Sequence, residues 1–407
     1  MDDVAYLLSA RAVRERAHQM LALGLEDRLP HFRIELAKLD AVAELVLDVT
    51  NKAYPDGRVP FHSRWRHFVV GGADRWDAIA AKVEWPNAAT RARADFDLAI
   101  TSVLLDAGAG AAWRYHDAVT GARIGRSEGL ALASLDMFAR GALSVDPNDP
   151  LRADAARLQR LTVADLERGF QVGADNPLVG LEGRVALLRR LGEVAAAKPD
   201  IFGVQNGPRP GGLFDQLAAG ATDGHIEAAE ILQQVLLQLG PIWPSRLTLD
   251  GTALGDCWRH PSLVTGDATT GLVPLHKLSQ WLSYSLIEPL QRAGLVVDEI
   301  DGLTGLAEYR NGGLFVDGGV LSLRDPADAE RAHAVDSPLV VEWRALTVAL
   351  LDRLAALIRQ RTGQTAEQLP LARILEGGSW AAGRKLAFAR RPDGSPPLKV
   401  ISDGTVF

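Results

Sequence analysis

The chain has almost no cysteine. Cys257 is the single one in 407 residues, so no disulfide can form within the chain, and a Cys-based zinc site is not expected. An excess of basic residues is also lacking. Lys and Arg number 44 against 51 Asp and Glu, giving a formal net charge of −7. A dedicated DNA or RNA binder carries a basic face, so nucleic acid is not the expected partner. No apolar run approaches the ~18 residues that suggest a membrane span, and the opening MDDVAYLLSARAVRERAHQM has acids where a signal peptide needs positive charge. The expectation is a soluble, cytoplasmic protein without a membrane partner.

Motifs of the common catalytic machines are missing as well. There is no HxH or HExxH, no GxGxxG opening a helix after a strand, no P-loop, no GxSxG and no Cys/His nucleophile pair. These gaps argue against metal, dinucleotide, NTP and serine-hydrolase chemistry, and the expected cofactor set is none. Carboxylate chemistry in an α-helical body remains.

What is present is mostly helical periodicity. Apolar residues recur at intervals of three and four through 1–53, 90–116, 127–200, 225–240 and 342–360, separated by capping signals such as Thr162 with Asp165. The fold class is therefore mainly α, a multi-helix bundle with small β-hairpin elements. This length permits two lobes, 1–202 and 203–407, with 203–214 as linker, or one continuous compact body.

Candidate chemistry concentrates in residues 274–323. Pro274 suits a helix start, and Leu275, Leu278, Leu282 and Leu286 form a core-facing stripe that should end near Pro289. A second stripe, Lys277, Trp281, Tyr284 and Glu288, reads as a pocket wall. In GLTGLAEYRNGG, Gly302 and Gly305 precede Glu308, Tyr309, Arg310 and Asn311, and Gly312 and Gly313 follow. Such glycines permit close approach of main chain to a ligand and positive φ, presenting the carboxylate at a helix end; the alternative is that Glu308 and Arg310 are surface charges. Three further clusters stand out. His62, Arg64, Trp65, Arg66 and His67 lie within six positions of a loop, read either as a binding loop or as a surface loop packing Trp65 and Phe68. Asp106 ends an apolar helix, where the macrodipole disfavours it unless Arg114 or a ligand compensates. Asp256, Trp258, Arg259 and His260 sit in 241–273, the longest stretch without helical periodicity.

Read together, FHSRWRHFVVGG (61–72), SVLLDAGAGAAWRY (102–115, with Trp113), SEGLALASLDMF (127–138), NPLVGLEGR (176–184), GDCWRH (255–260), PLHKLSQWLSYSLIEPL (274–290) and LTGLAEYRNGGLFVDGGVL (303–321) resemble the uracil-catabolism protein four family, found in microbial gene clusters for uracil degradation. The likeness covers nearly the whole chain. The order of DLAITSVLLDAG, LHKLSQW, LTGLAEYR, GVL and VEWRALTVALL is also similar to that of the queuosine salvage N-glycosidases, helical enzymes of the helix-hairpin-helix DNA glycosylase type. That resemblance implies a glycosylase-like bundle in which Lys277 matches the family's lysine and Glu308 its catalytic acid. The family has Asp at this point, so Glu308 would act through a water, or Asp317 would be the acid.

The implied reaction is hydrolysis of a ribosyl C–N bond in a nucleoside or nucleotide-derived small molecule such as ribosylurea or its 5′-phosphate, giving urea and a ribose. A carboxylate can stabilise the positive charge that builds on the sugar or deprotonate the attacking water. Tyr309, Asp106 and His260 are candidates to supply hydrogen bonds or a proton. Lys277, Arg310 and Arg259 are candidates for a phosphate. Asn311, Trp113, His62, Arg64, Trp281 and Tyr284 complete the expected substrate-binding set. The rival readings are an amidohydrolase acting on a ring-opened pyrimidine and a non-catalytic helical scaffold of the same pathway.

Overall fold

A computed structural model describes residues 2–106, 108–110, 112–204, 206–243 and 247–401. Helices dominate it, and the strands are two or three residues long, paired two at a time. The hairpins include Val69–Val70 with Ala73–Asp74 and Tyr115–His116 with Arg123–Ile124. No helix among the described residues is long and apolar enough to cross a membrane.

The chain divides into two compact units, each assembled from separated stretches: residues 1–62, 245–280 and 299–407 form the first, and 63–244 with 281–298 the second. Residues 202 and 203, where the sequence reading sets a boundary, both lie inside the second unit.

The first unit is organised on the helix Pro338–Thr362. Every residue from Leu339 to Leu351 is buried, so this helix has no solvent face over its first half, and the charges it carries there, Glu342 and Arg344, need partners indoors. Helices Ala10–Leu25, Leu39–Ala53 and Tyr309–Asp317 pack against it, and Tyr309–Asp317 packs in turn on Trp380–Arg390. Strand Phe32–Ile34 pairs antiparallel with Leu321–Leu323. Cys257 lies in a core cluster with Leu7, Leu254 and Leu272, where burial pushes its thiol far above the ordinary value and leaves it inert.

The second unit is built on Ala88–Leu104, buried continuously from Ala94 onward. Its two interior carboxylates are satisfied in place. Asp97 accepts from Arg209 Nε (2.7 Å) and from the amides of Ala153 (2.8 Å) and Gly211 (2.5 Å), and Asp95 accepts from Trp76 Nε1 (2.7 Å) and Arg292 Nε (3.1 Å).

Two helix limits differ from the sequence expectation, each for a local reason. Pro274 closes the strand Leu272–Pro274, paired with Cys257–Arg259, and the helix begins at Lys277. Asp256 replaces a local cap: its backbone carbonyl accepts from the Leu275 and His276 amides (2.9 and 3.1 Å), and its Oδ2 from the Lys277 amide (2.8 Å). At the other end the helix runs through Pro289 to Arg292. A proline here removes the N–H that would reach the Ser285 carbonyl. Trp65 Nε1 donates to that carbonyl instead, at 2.7 Å, so the helix continues without an orphaned acceptor.

Candidate active site

Glu308 is the N-cap of helix Tyr309–Asp317, with an extended backbone of φ −121° and ψ 166°. Its carboxylate folds back over the first turn, Oε2 accepting from the Arg310 amide and Oε1 from the Asn311 amide, both at 2.6 Å. This is the work ordinarily done by Ser, Thr, Asp or Asn at this position. The residue is 8% exposed. Burial pushes its carboxyl above the usual range, against the two amides and against the electrostatic influence of Lys277 and His62, which favours the ionised form. An ionisable group is thus held enclosed with its charge part-compensated.

The surrounding glycines work differently from the expectation. None of Gly302, Gly305, Gly312 and Gly313 has a positive φ. A Cβ on Gly312 would lie 2.7 Å from the Trp343 ring, and one on Gly305 2.5 Å from Leu351 Cδ1. These glycines let the Glu308 segment press against helix Pro338–Thr362.

From that helix, Arg344 ties the segment to the start of the Lys277 helix. Its terminal nitrogens grip Asp256 bidentately at 2.7 and 2.8 Å, while its Nε donates to the Ala307 carbonyl at 3.1 Å. Burial opposes the Asp256 charge, yet the Arg344 guanidinium, with bonds from Trp258 Nε1 and the Lys277 amide, holds that carboxyl well below the usual carboxylate range. A second clamp joins the same segments: Gln280 Nε2 donates to Thr304 Oγ1 (2.9 Å) and Gln280 Oε1 accepts from the Thr304 amide (3.2 Å).

His62 closes the arrangement through a residue that sequence reading missed. Its Nδ1 lies 2.7 Å from Glu376 Oε2, and Tyr54 donates to Glu376 Oε1 at 3.2 Å. Glu376 sits in a π-helical turn, Leu375–Ser379, a rare geometry that is frequent at functional sites. The same turn ends in Ser379, whose hydroxyl donates to Asn311 Oδ1 at 2.8 Å. Thus LEGGS reaches His62 with one side chain and the first turn below Glu308 with another. The signal was available: a carboxylate immediately before a Gly pair, comparable to Glu308 ahead of Gly312 and Gly313.

Other expected residues go elsewhere. Asp317 is at the far end of its nine-residue helix, roughly 13 Å from Glu308 at the usual helical rise, and Arg391 takes both its oxygens at 2.9 and 2.6 Å. Arg310 donates to the Gly394 carbonyl at 2.7 Å and stacks on Tyr309 with its Cζ 4.9 Å from the ring centroid. Arg259 is exposed, and His260 is enclosed with Nε2 3.3 Å from Glu342 Oε2; neither bonds to Glu308. Arg64, Asp106, Trp113, Trp281 and Tyr284 belong to the second unit. There Asp106 pairs with Arg64 Nη1 at 2.9 Å, not with Arg114, and accepts from Ser127 Oγ at 2.5 Å. Trp113 is a core residue donating to the Phe170 carbonyl at 2.9 Å; Trp281 lies beside His67, ring centroids 5.7 Å apart, and Tyr284 is buried.

A family profile described as "Protein of unknown function (DUF1688)" matches residues 6–407. The chain belongs to the DUF1688 family. Its relatives include a protein of Schizosaccharomyces pombe named "Protein urg3", 39% identical over all of this chain and 99% of its own length. A second, from Lachancea kluyveri, is named "Uracil catabolism protein 4" and is 36% identical over all of this chain and 99% of its own length. Within the family fold, the arrangement around Glu308 offers an enclosed carboxylate, an ammonium and an imidazole anchored by a second carboxylate.

Proposed function

We propose that the chain is an enzyme of uracil catabolism that hydrolyses a ribosyl C–N bond, with ribosylurea or its 5′-phosphate as substrate and urea and a ribose as products. The pathway comes from the relative named for uracil catabolism, and the bond from the sequence likeness to N-glycosidases of the helix-hairpin-helix type. The observation that carries the reading is the state of Glu308: enclosed, tied by two amides, and raised above the usual carboxylate range by burial.

Such a group suits both demands of the reaction. As the C–N bond lengthens, positive charge builds on the anomeric carbon, and a carboxylate in a poorly solvated site stabilises it strongly. The raised pKa also makes Glu308 a better base for the incoming water than an exposed glutamate. The charge of Lys277 favours the ionised form of Glu308, opposing the effect of burial. Asp317 is already committed to Arg391, and Glu308 is taken as the catalytic carboxylate.

The test is to incubate the purified protein with ribosylurea, its 5′-phosphate and a panel of nucleosides, measuring urea, free base, ammonia and reducing sugar. Equal release of urea and reducing sugar, lost in Glu308→Gln, is the expected result. Ammonia without reducing sugar would mean that an amide bond is cut, and no turnover of any substrate would remove the proposal.

A further inference from the structure

Resting on that reading of Glu308, we infer that His62 is the proton donor to the leaving nitrogen and that Glu376 is its positioning residue. Urea departs badly as an anion, so cleavage needs a proton delivered to nitrogen as the bond to carbon breaks. Glu308 cannot deliver it while serving as the base. His62, like Lys277, is a titratable group with an electrostatic influence on Glu308, it lies in the same unit, and the turn that holds it also bonds Asn311 in the first turn below Glu308.

The geometry is that of an imidazole fixed from behind. Glu376 Oε2 at 2.7 Å from Nδ1 orients the ring from behind, the role a carboxylate plays for an acid–base histidine. Glu376 is in turn fixed by Tyr54 through its other oxygen and by the backbone of the π-helical turn. That turn packs closely on helix Leu39–Ala53: Cβ atoms on Gly377 and Gly378 would meet Thr50 at 2.9 and 2.5 Å, and the His62 amide donates to the Ala372 carbonyl at 2.9 Å. Of the charged and titratable groups around His62, Glu376 on this turn bonds it, the Tyr54 phenol bonds Glu376, Glu308 interacts with it electrostatically, and Arg373 stacks on the neighbouring Phe61.

In the balanced step, the C1′–N bond breaks with its electron pair going to nitrogen, which takes the proton from the second ring nitrogen of His62. Water adds its oxygen to C1′ and gives a proton to Glu308. Solvent exchange returns that proton to the imidazole, so the net change is addition of one water across the bond.

The experiment compares two substrates in wild type, His62→Gln, Glu376→Gln, Tyr54→Phe and Glu308→Gln: ribosylurea, whose nitrogen needs a proton, and 4-nitrophenyl riboside, whose phenolate leaves without one. His62→Gln is expected to lose about 10²–10⁴-fold on ribosylurea but under about tenfold on the nitrophenyl riboside, the range for a general acid. Glu308→Gln should lose both. In Glu376→Gln the limb on which activity falls with rising pH should move to lower pH for ribosylurea, while Tyr54→Phe, which removes a donor from Glu376, should move it less and to higher pH. Equal losses on both substrates in His62→Gln, or an unmoved limb in Glu376→Gln with wild-type melting behaviour, would overturn the inference and leave Glu308 in its role. Wild type inactive on both substrates would overturn the underlying reading itself.

Discussion

At the scale of single residues, Glu308 and Asp317 mark the two ends of one helix and have opposite electrostatic situations. Burial raises Glu308, so the ionised form needed for a base is lost as pH falls through a value above the ~4.3 of an ordinary glutamate. The acid limb of kcat should lie correspondingly high. Lys277→Met removes a charge that favours ionisation and should move that limb higher still, as a kcat–pH profile would show. Glu308→Gln should lose about 10²–10⁴-fold in kcat. Asp317→Asn should act on stability instead. It loosens a bidentate pair with Arg391 and costs about 1–3 kcal/mol in urea-induced unfolding, while the folded protein keeps its turnover. Reversal of these two outcomes would exchange the roles of the carboxylates.

Among the elements, the π-helical turn and the Arg344 helix do most to set the site. Gly378→Ala drives a Cβ to within 2.5 Å of the Val46 carbonyl, a backbone group that cannot rotate away. The expected cost is about 1–3 kcal/mol of overpacking, read as a lowered melting temperature. Arg344→Met leaves Asp256 without its cation in a mostly buried place and should cost about 3–5 kcal/mol at neutral pH. The sign of its pH dependence follows from the depressed Asp256 carboxyl. In wild type this group stabilises the fold above the unfolded value of ~3.9, and that contribution fades as pH falls below it. In Arg344→Met the burial penalty persists without the compensating cation, so Asp256 takes a proton more readily, and the stability deficit should shrink on acidification. Unfolding curves from pH 7 to 4 would measure it.

Legibility in the sequence follows the same physics. Helix periodicity is a local property, and it found the main helices and the capping box at Thr162 and Asp165. Glu308 could be placed at a helix end because a carboxylate among glycines is unusual within a dozen residues. Arg344 and Glu376 were passed over because their meaning lies in partners more than 80 and 300 positions away, Asp256 and His62. The continuation through Pro289 depends on the indole of Trp65, which no local rule could supply. Glycine was misread for a related cause: composition reveals that side chains are missing at Gly305 and Gly312, while only the packed neighbours Leu351 and Trp343 reveal why.

For the whole molecule, the chain passes between its two units near residues 62, 244, 280 and 298. Separately produced 1–202 and 203–407 would each hold fragments of both units. Neither should give a cooperative thermal transition on its own, whereas co-expression should recover a folded complex if the pieces find each other. A sharp transition in either half alone would show that a unit tolerates the loss of its distant stretches.

The pairing of Phe32–Ile34 with Leu321–Leu323 has a consequence for biosynthesis. Roughly 290 residues separate the strands, so at ~5–20 residues per second the ribosome needs about 15–60 s between making one and the other. Through that interval the nascent amino-terminal helices, with Leu7, Val13 and Met20 destined for the interior, lack the late helix that covers them. Cellular yield should therefore depend on holdase chaperones and slower growth temperatures more than equilibrium stability alone would suggest.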